Sequence, residues 1–128
     1  MKKLLILLLL TSSGFAFGAA ANCTPVQTAV INITSSGDTT VVAANGDKQV
    51  IVWQFFMVNN HATNDTNVTL KDGASTSQSG AYLLKANGGS QTAICTGVPW
   101  AVTSKGNAFI INSSAAASLQ GELYWSFQ

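Results

Sequence analysis

Leu119-Gln120-Gly121-Glu122-Leu123-Tyr124-Trp125-Ser126-Phe127-Gln128 alternates between two chemistries along its whole length. Leu119, Gly121, Leu123, Trp125 and Phe127 fall on one parity; Gln120, Glu122, Tyr124, Ser126 and Gln128 fall on the other. Successive side chains of a strand leave on opposite faces. The stretch therefore predicts a strand over Leu119–Phe127 with its first set in a core. After Pro25 no window repeats at helical spacing.

The alternation continues upstream between clusters of turn residues. Ala29, Ile31 and Ile33 oppose Val30, Asn32 and Thr34, and Ser35-Ser36-Gly37-Asp38 turns the chain. Thr39–Ala43 is a short strand ahead of the hairpin signal Asn45-Gly46-Asp47. Val68 and Leu70 alternate with Asn67, Thr69 and Lys71 before Asp72-Gly73. Tyr82–Lys85 and Thr92–Cys95 flank Asn87-Gly88-Gly89, and Phe109–Ile111 follows Gly106-Asn107. Residues 73–80 are small and polar, a surface loop, and Thr63–Ser79 reads as mobile apart from its short strand. About eight strands at this turn spacing predict an all-β, antiparallel, jelly-roll-like β-sandwich over residues 22–128.

Lys48–Asn59 is the longest run and differs from the rest. Ile51, Trp53, Phe55 and Met57 make one face apolar; Val50, Val52, Phe56 and Val58 make the opposite face apolar too, broken only by Gln54. A sandwich strand normally keeps its outer face polar. Two covers would satisfy the second face: a loop of the same chain, or another subunit. The second alternative makes Val50, Val52, Phe56 and Val58 a subunit interface and the protein a homo-oligomer or part of a larger assembly.

Only 9% of the 128 residues are charged, against about 25% in ordinary domains, and there is no arginine. Such a chain lacks the footprint for a phosphate backbone, so nucleic acid is excluded as a partner. Residues 1–21 carry an address rather than fold. Met1-Lys2-Lys3 is a positive start, Leu4–Leu10 an unbroken aliphatic run, and Ala19-Ala20-Ala21 a small-residue cleavage site. These are the parts of a secretory signal peptide in order. The competing reading is an uncleaved anchor. It would have to span with Leu4–Ala21, interrupted by Thr11-Ser12-Ser13-Gly14 and at the short end of the roughly 17–25 residues required. Cleavage makes the protein exported (extracellular, cell-surface or periplasmic) and confines membrane contact to the leader.

Two cysteines in an exported chain predict one disulfide, Cys23 to Cys95. Free thiols or an intermolecular bridge through Cys23 are the alternatives. Five N-x-S/T triplets, beginning at Asn22, Asn32, Asn64, Asn67 and Asn112, matter only in a host that glycosylates.

Parts for catalysis are few. His61 is the single histidine, in the loop Asn59-Asn60-His61-Ala62-Thr63-Asn64, and no serine stands in a G-x-S-x-G elbow. With the cysteines paired, His61 and five scattered acids make neither a zinc set nor a calcium loop. The expectation is no catalytic residue, no metal and no cofactor. Trp53 and Trp125 sit on expected core faces. Trp100, after Gly97-Val98-Pro99, is the aromatic placed to serve as a ligand platform, for example for surface glycans.

From Val68 onward the order of features resembles a family. Val68-Thr69-Leu70-Lys71-Asp72-Gly73 is followed by Leu83-Leu84, Gly88-Gly89, Pro99, Thr103, Gly106-Asn107-Ala108, Ser114-Ala115, Gly121 and Tyr124. This is similar to small β-sandwich proteins of tailed-phage virions, of the capsid-decoration or fibre type, over roughly Lys48–Gln128. The resemblance implies binding to a symmetric assembly, often as a trimer, and no catalysis. Chaperone–usher pilin subunits are a second comparison: exported, disulfide-bonded, all-β and aromatic near the C-terminus, here Phe127. The functional expectation is a non-enzymatic structural subunit of a virion or surface filament. A secreted carbohydrate-binding or adhesion module is the alternative.

Overall fold

The computed structural model describes Cys23 and residues 27–128. The expected leader, residues 1–21, lies outside the described residues. The alternating runs form ten strands: β1 (Gln27–Ile33), β2 (Gly37–Val42), β3 (Val50–Asn59), β4 (Thr66–Asp72), β5 (Thr76–Ser77), β6 (Tyr82–Leu84), β7 (Gly89–Ala93), β8 (Ala101–Val102), β9 (Phe109–Ser113) and β10 (Leu119–Phe127). No helix occurs among the described residues.

The strands make two antiparallel sheets. The first runs β1-β10-β3-β7, with β8 beside β7 on the same flank of β3. The second runs β2-β9-β4-β5, with β6 on the same flank of β4. Leaving out the two-residue strands β5 and β8, the orders are 1-10-3-7 and 2-9-4-6. The chain changes sheet at most connections, and each sheet places its last long strand between its first two. That is the jelly roll, two interlocked Greek keys. The physical reason lies in the sequence: each strand has one apolar face, and two such sheets bury those faces against each other.

Inward positions fill the space between the sheets. Ile31 and Ile33 of β1, Leu119 and Leu123 of β10, and Phe55 and Met57 of β3 meet Val68 and Leu70 of β4 and Phe109 and Ile111 of β9, all at 0–1% exposure. The alternation expected for β10 holds from Leu119 to Glu122 and at Leu123 and Trp125, whereas at its end the outward Ser126 is buried and the inward Phe127 only half-buried. At Gly121 the seam with β3 is so close that an added Cβ would overlap the Phe56 carbonyl.

Three readings of the sequence are corrected. The Gly73–Gly80 loop contains β5, whose Ser77 and Thr76 pair with Lys71 and Asp72. The strand expected at Thr92–Cys95 runs instead from Gly89 to Ala93, because Asn87 (φ 57°) and Gly88 (φ 101°) complete the turn immediately before it. The faces of β3 also change phase midway. Tyr124 pairs with Gln54, but the next residue, Trp125, pairs with Val52, so Trp53 is an extra residue opposite the β10 ladder. Such a bulge reverses the parity of every position beyond it. Val50 and Val52 are therefore core, at 0% exposure, together with Phe55 and Met57. Ile51, Phe56 and Val58 point outward, because they pair with outward Ser126, Glu122 and Gln120.

The two sheets are tied at their ends by polar clusters. Buried Asn59 donates to the carbonyls of Asn64 (2.8 Å) and Leu84 (3.3 Å) and accepts from the His61 and Ser118 amides. Buried Asp72 accepts from the Ser104 amide (2.9 Å), the Ser104 hydroxyl (2.7 Å) and Asn107 Nδ2 (2.9 Å). Burial works to raise the Asp72 carboxyl, but the Ser104 and Asn107 donors outweigh it and hold it below its usual range. The Cys23–Cys95 disulfide is present, with its Cα atoms 6.3 Å apart and a sequence separation of 72.

Candidate functional site

The expected interface set does not share a face. Val50 and Val52 belong to the core, whereas Phe56 and Val58 remain on the outer surface of the first sheet. The bulge at Trp53 is the cause: the two-sided apolar strand is two one-sided halves in opposite phase. Trp53, expected in the core, lies half-buried on the outer face, where its indole N–H donates to Ser126 Oγ at 2.9 Å. Ile51, beside Ser126 and Val102 in the register, is outward yet only 5% exposed.

That outer face exposes two large apolar side chains near the centre of the first sheet. The register sets Val30, Glu122, Phe56 and Thr92 side by side across β1, β10, β3 and β7. Val30 is 75% exposed and Phe56 44%. Val58, in the neighbouring row with Gln120 and Asn32, is half-buried. Glu122 is the one charge within the row. Its carboxylate accepts from the Tyr124 hydroxyl at 3.0 Å, and that bond to the anion pushes the Tyr124 hydroxyl above its usual value. Sequence reading did not single out Val30. The available signal was an apolar residue on the parity that Asn32 and Thr34 occupy.

Trp100 lies at the flank between β7 and β8. Its amide donates to the Val52 carbonyl and its indole N–H to the Ile94 carbonyl, both at 2.8 Å. Its ring meets Phe55 edge-on, with centroids 6.3 Å apart. The indole is held from two sides and remains 43% exposed, and Ile94 and Val98 of the same loop are exposed as well. Cys95, bonded to Cys23, lies in the same loop.

His61 is occupied structurally. Its Nδ1 accepts from the amides of Thr63 (3.2 Å) and Asn64 (3.0 Å), closing the turn after β3. Among the described residues no group of three or more His, Cys, Asp or Glu side chains is placed to hold a metal ion. A shallow polar cavity of ≈ 400 Å³ is lined by Asp47, Lys48, Gln49, Lys105 and Gln128. None of the residues singled out from the sequence lines it. Comparison of the chain with family models, curated proteins and solved structures finds no match.

Proposed function

We propose that the protein is a non-enzymatic structural subunit, exported and built into a larger protein assembly such as a virion decoration, a fibre or a surface filament. The observation that carries this reading is the Val30–Glu122–Phe56–Thr92 row, which leaves two large apolar side chains in water on the face of a four-strand sheet. A folded domain gains by covering such side chains, at roughly 1.5–3 kcal/mol for each one fully buried. The disulfide is compatible with an oxidising, exported location. Light scattering on the full chain, purified as it is recovered from its expression host, tests the reading. Assembly at micromolar concentration is expected; a strictly monomeric species at the highest soluble concentration overturns it.

Trp100 supports a second reading, a carbohydrate-binding or adhesion module. An indole pinned at both its N–H and its edge keeps a fixed, half-open face, the arrangement that stacks on a sugar ring at little entropic cost. A glycan array discriminates. Binding that disappears in Trp100→Ala favours this module; no binding, or binding unchanged in the variant, removes it.

A further inference from the structure

A sandwich has four sheet edges, and an edge strand is a template for pairing with another chain unless something blunts it. Three of the four are blunted here. On the outer flank of β3 the edge is divided between five-residue β7 and two-residue β8, separated by the loop that carries the disulfide and Pro99. On the outer flank of β4 it is divided between two-residue β5 and three-residue β6. The β2 edge carries the charge of Asp38, and its register shifts between Thr40 and Val42. The fourth edge, β1, has none of these devices. It is seven residues long, Gln27-Thr28-Ala29-Val30-Ile31-Asn32-Ile33, with no charge, no proline and no glycine. It pairs with β10 over its full length without a register shift. Its other side meets no strand among the described residues.

Resting on the assembly reading above, we infer that β1 is a homotypic pairing edge, and that its occupant is the β1 strand of a second copy of this chain, antiparallel about a two-fold axis at Val30. Three features select a copy of itself over an unrelated strand. Val30 is the midpoint of the seven residues and the most exposed large apolar side chain among the described residues. A two-fold axis there sets Val30 against the partner's Val30, an apolar cross-strand pair on the outer face. The same axis sets Thr28 against the partner's Asn32, polar against polar, Ala29 against the partner's Ile31 on the inward parity, and Gln27 against the partner's Ile33 at the strand ends. No charge opposes a like charge at any position. The unpaired main-chain groups of β1 would supply the hydrogen bonds, and the two first sheets would become one continuous sheet. Its outer surface would carry the Val30–Phe56 row twice, a wider apolar platform for the rest of the assembly.

Single cysteines read the register. Opposed antiparallel residues have Cα atoms about 4.5–5.5 Å apart, within the span a disulfide bridges. The full chain carrying Val30→Cys should run at twice the monomer mass on non-reducing electrophoresis after mild oxidation and collapse to the monomer on reduction. Leu83→Cys, 55% exposed on β6, is the control and should remain monomeric. Thr28→Cys mixed with Asn32→Cys should cross-link, and either variant alone should not. Wild type that assembles by light scattering while Val30→Cys cross-links no better than Leu83→Cys overturns the β1 inference and leaves the assembly reading standing. Wild type that is strictly monomeric overturns both. Efficient capture of Thr28→Cys alone places the two-fold axis elsewhere and overturns the register at Val30.

Discussion

The central rows of the two outer faces meet water with different chemistry, although the second sheet also exposes Leu83 at its β6 edge. On the second sheet, Asp38, Asn112 and Thr69 form one polar row, and Thr40, Ile110, Lys71 and Ser77 the next. Lys71 reaches Asp38 at 2.6 Å, Asn112 donates to the same carboxylate, and Ile110 between Thr40 and Lys71 is left only 8% exposed. There the charge of Lys71, on a largely buried side chain, is neutralised by Asp38 in the row beside Ile110. On the first sheet the corresponding row is Val30, Glu122, Phe56 and Thr92, and nothing among the described residues shelters Val30 or Phe56. The two faces belong to one fold and differ only in their outward parity, so the difference is not a packing requirement. On the assembly reading proposed above, the first sheet is the side to be covered.

The largest expected effects fall on the frame that holds both faces. Replacing both cysteines, Cys23→Ser with Cys95→Ser, should cost about 4 kcal/mol in denaturant unfolding, the chain-entropy value for a closed loop of this length. Alkylation without reductant should add no mass to the native chain. Gly121→Ala comes next. Its Cβ would overlap the Phe56 carbonyl across the β10–β3 seam, so strand must separate from strand. A loss of about 3 kcal/mol in the same experiment, with a weakened β signature in circular dichroism, is expected.

Acid sharpens the comparison from within. The Asp72 carboxyl titrates below its ordinary value in the folded chain, so its contribution to stability is complete above the unfolded-state pKa and is lost as pH falls through the folded-state one. Asp38, held down by Lys71 and then Asn112, follows the same sign. Asp72→Asn should flatten the acid limb of the stability profile and cost about 1.5–3 kcal/mol at pH 7, because a charged acceptor of three hydrogen bonds is lost. A variant with an unchanged acid limb would show that Asp72 is not the group responsible.

The smallest effects on stability separate the faces most directly. Phe56→Asp and Asp38→Asn each alter one outer face and should change folding stability by about 1 kcal/mol or less. They should differ in assembly. Phe56→Asp should keep its β circular dichroism and drop from the wild-type mass to the β1-paired dimer in light scattering. Asp38→Asn should retain the wild-type mass. Equal behaviour of the two variants would abolish the distinction between the covered and the solvated face.

How much of this was legible in sequence differs from strand to strand. β10 was read to its boundaries, because Gly121 and the flanking Leu and Gln residues repeat at period two without interruption. The Cys23–Cys95 pairing was legible because two cysteines allow a single intramolecular bond. β5 was not legible: Thr76 and Ser77 carry no apolar signal, and their pairing depends on Lys71 and Asp72 across the turn. The candidate site was half legible. Phe56 and Val58 were identified as outward; Val50 and Val52 were misplaced, and Val30 was passed over.

By itself the sequence determined the class of fold, since local alternation and turn chemistry are properties of neighbours along the chain. Which face each half of β3 presents was decided only in three dimensions. A bulge is a relation between two strands, Trp53 against the Tyr124–Trp125 step of β10, and apolar residues on both sides of it conceal the change of phase. The open edge at β1 is likewise a tertiary fact. Nothing in Gln27–Ile33 distinguishes an edge strand from a central one until the order β1-β10-β3-β7 leaves one of its sides without a neighbouring strand among the described residues.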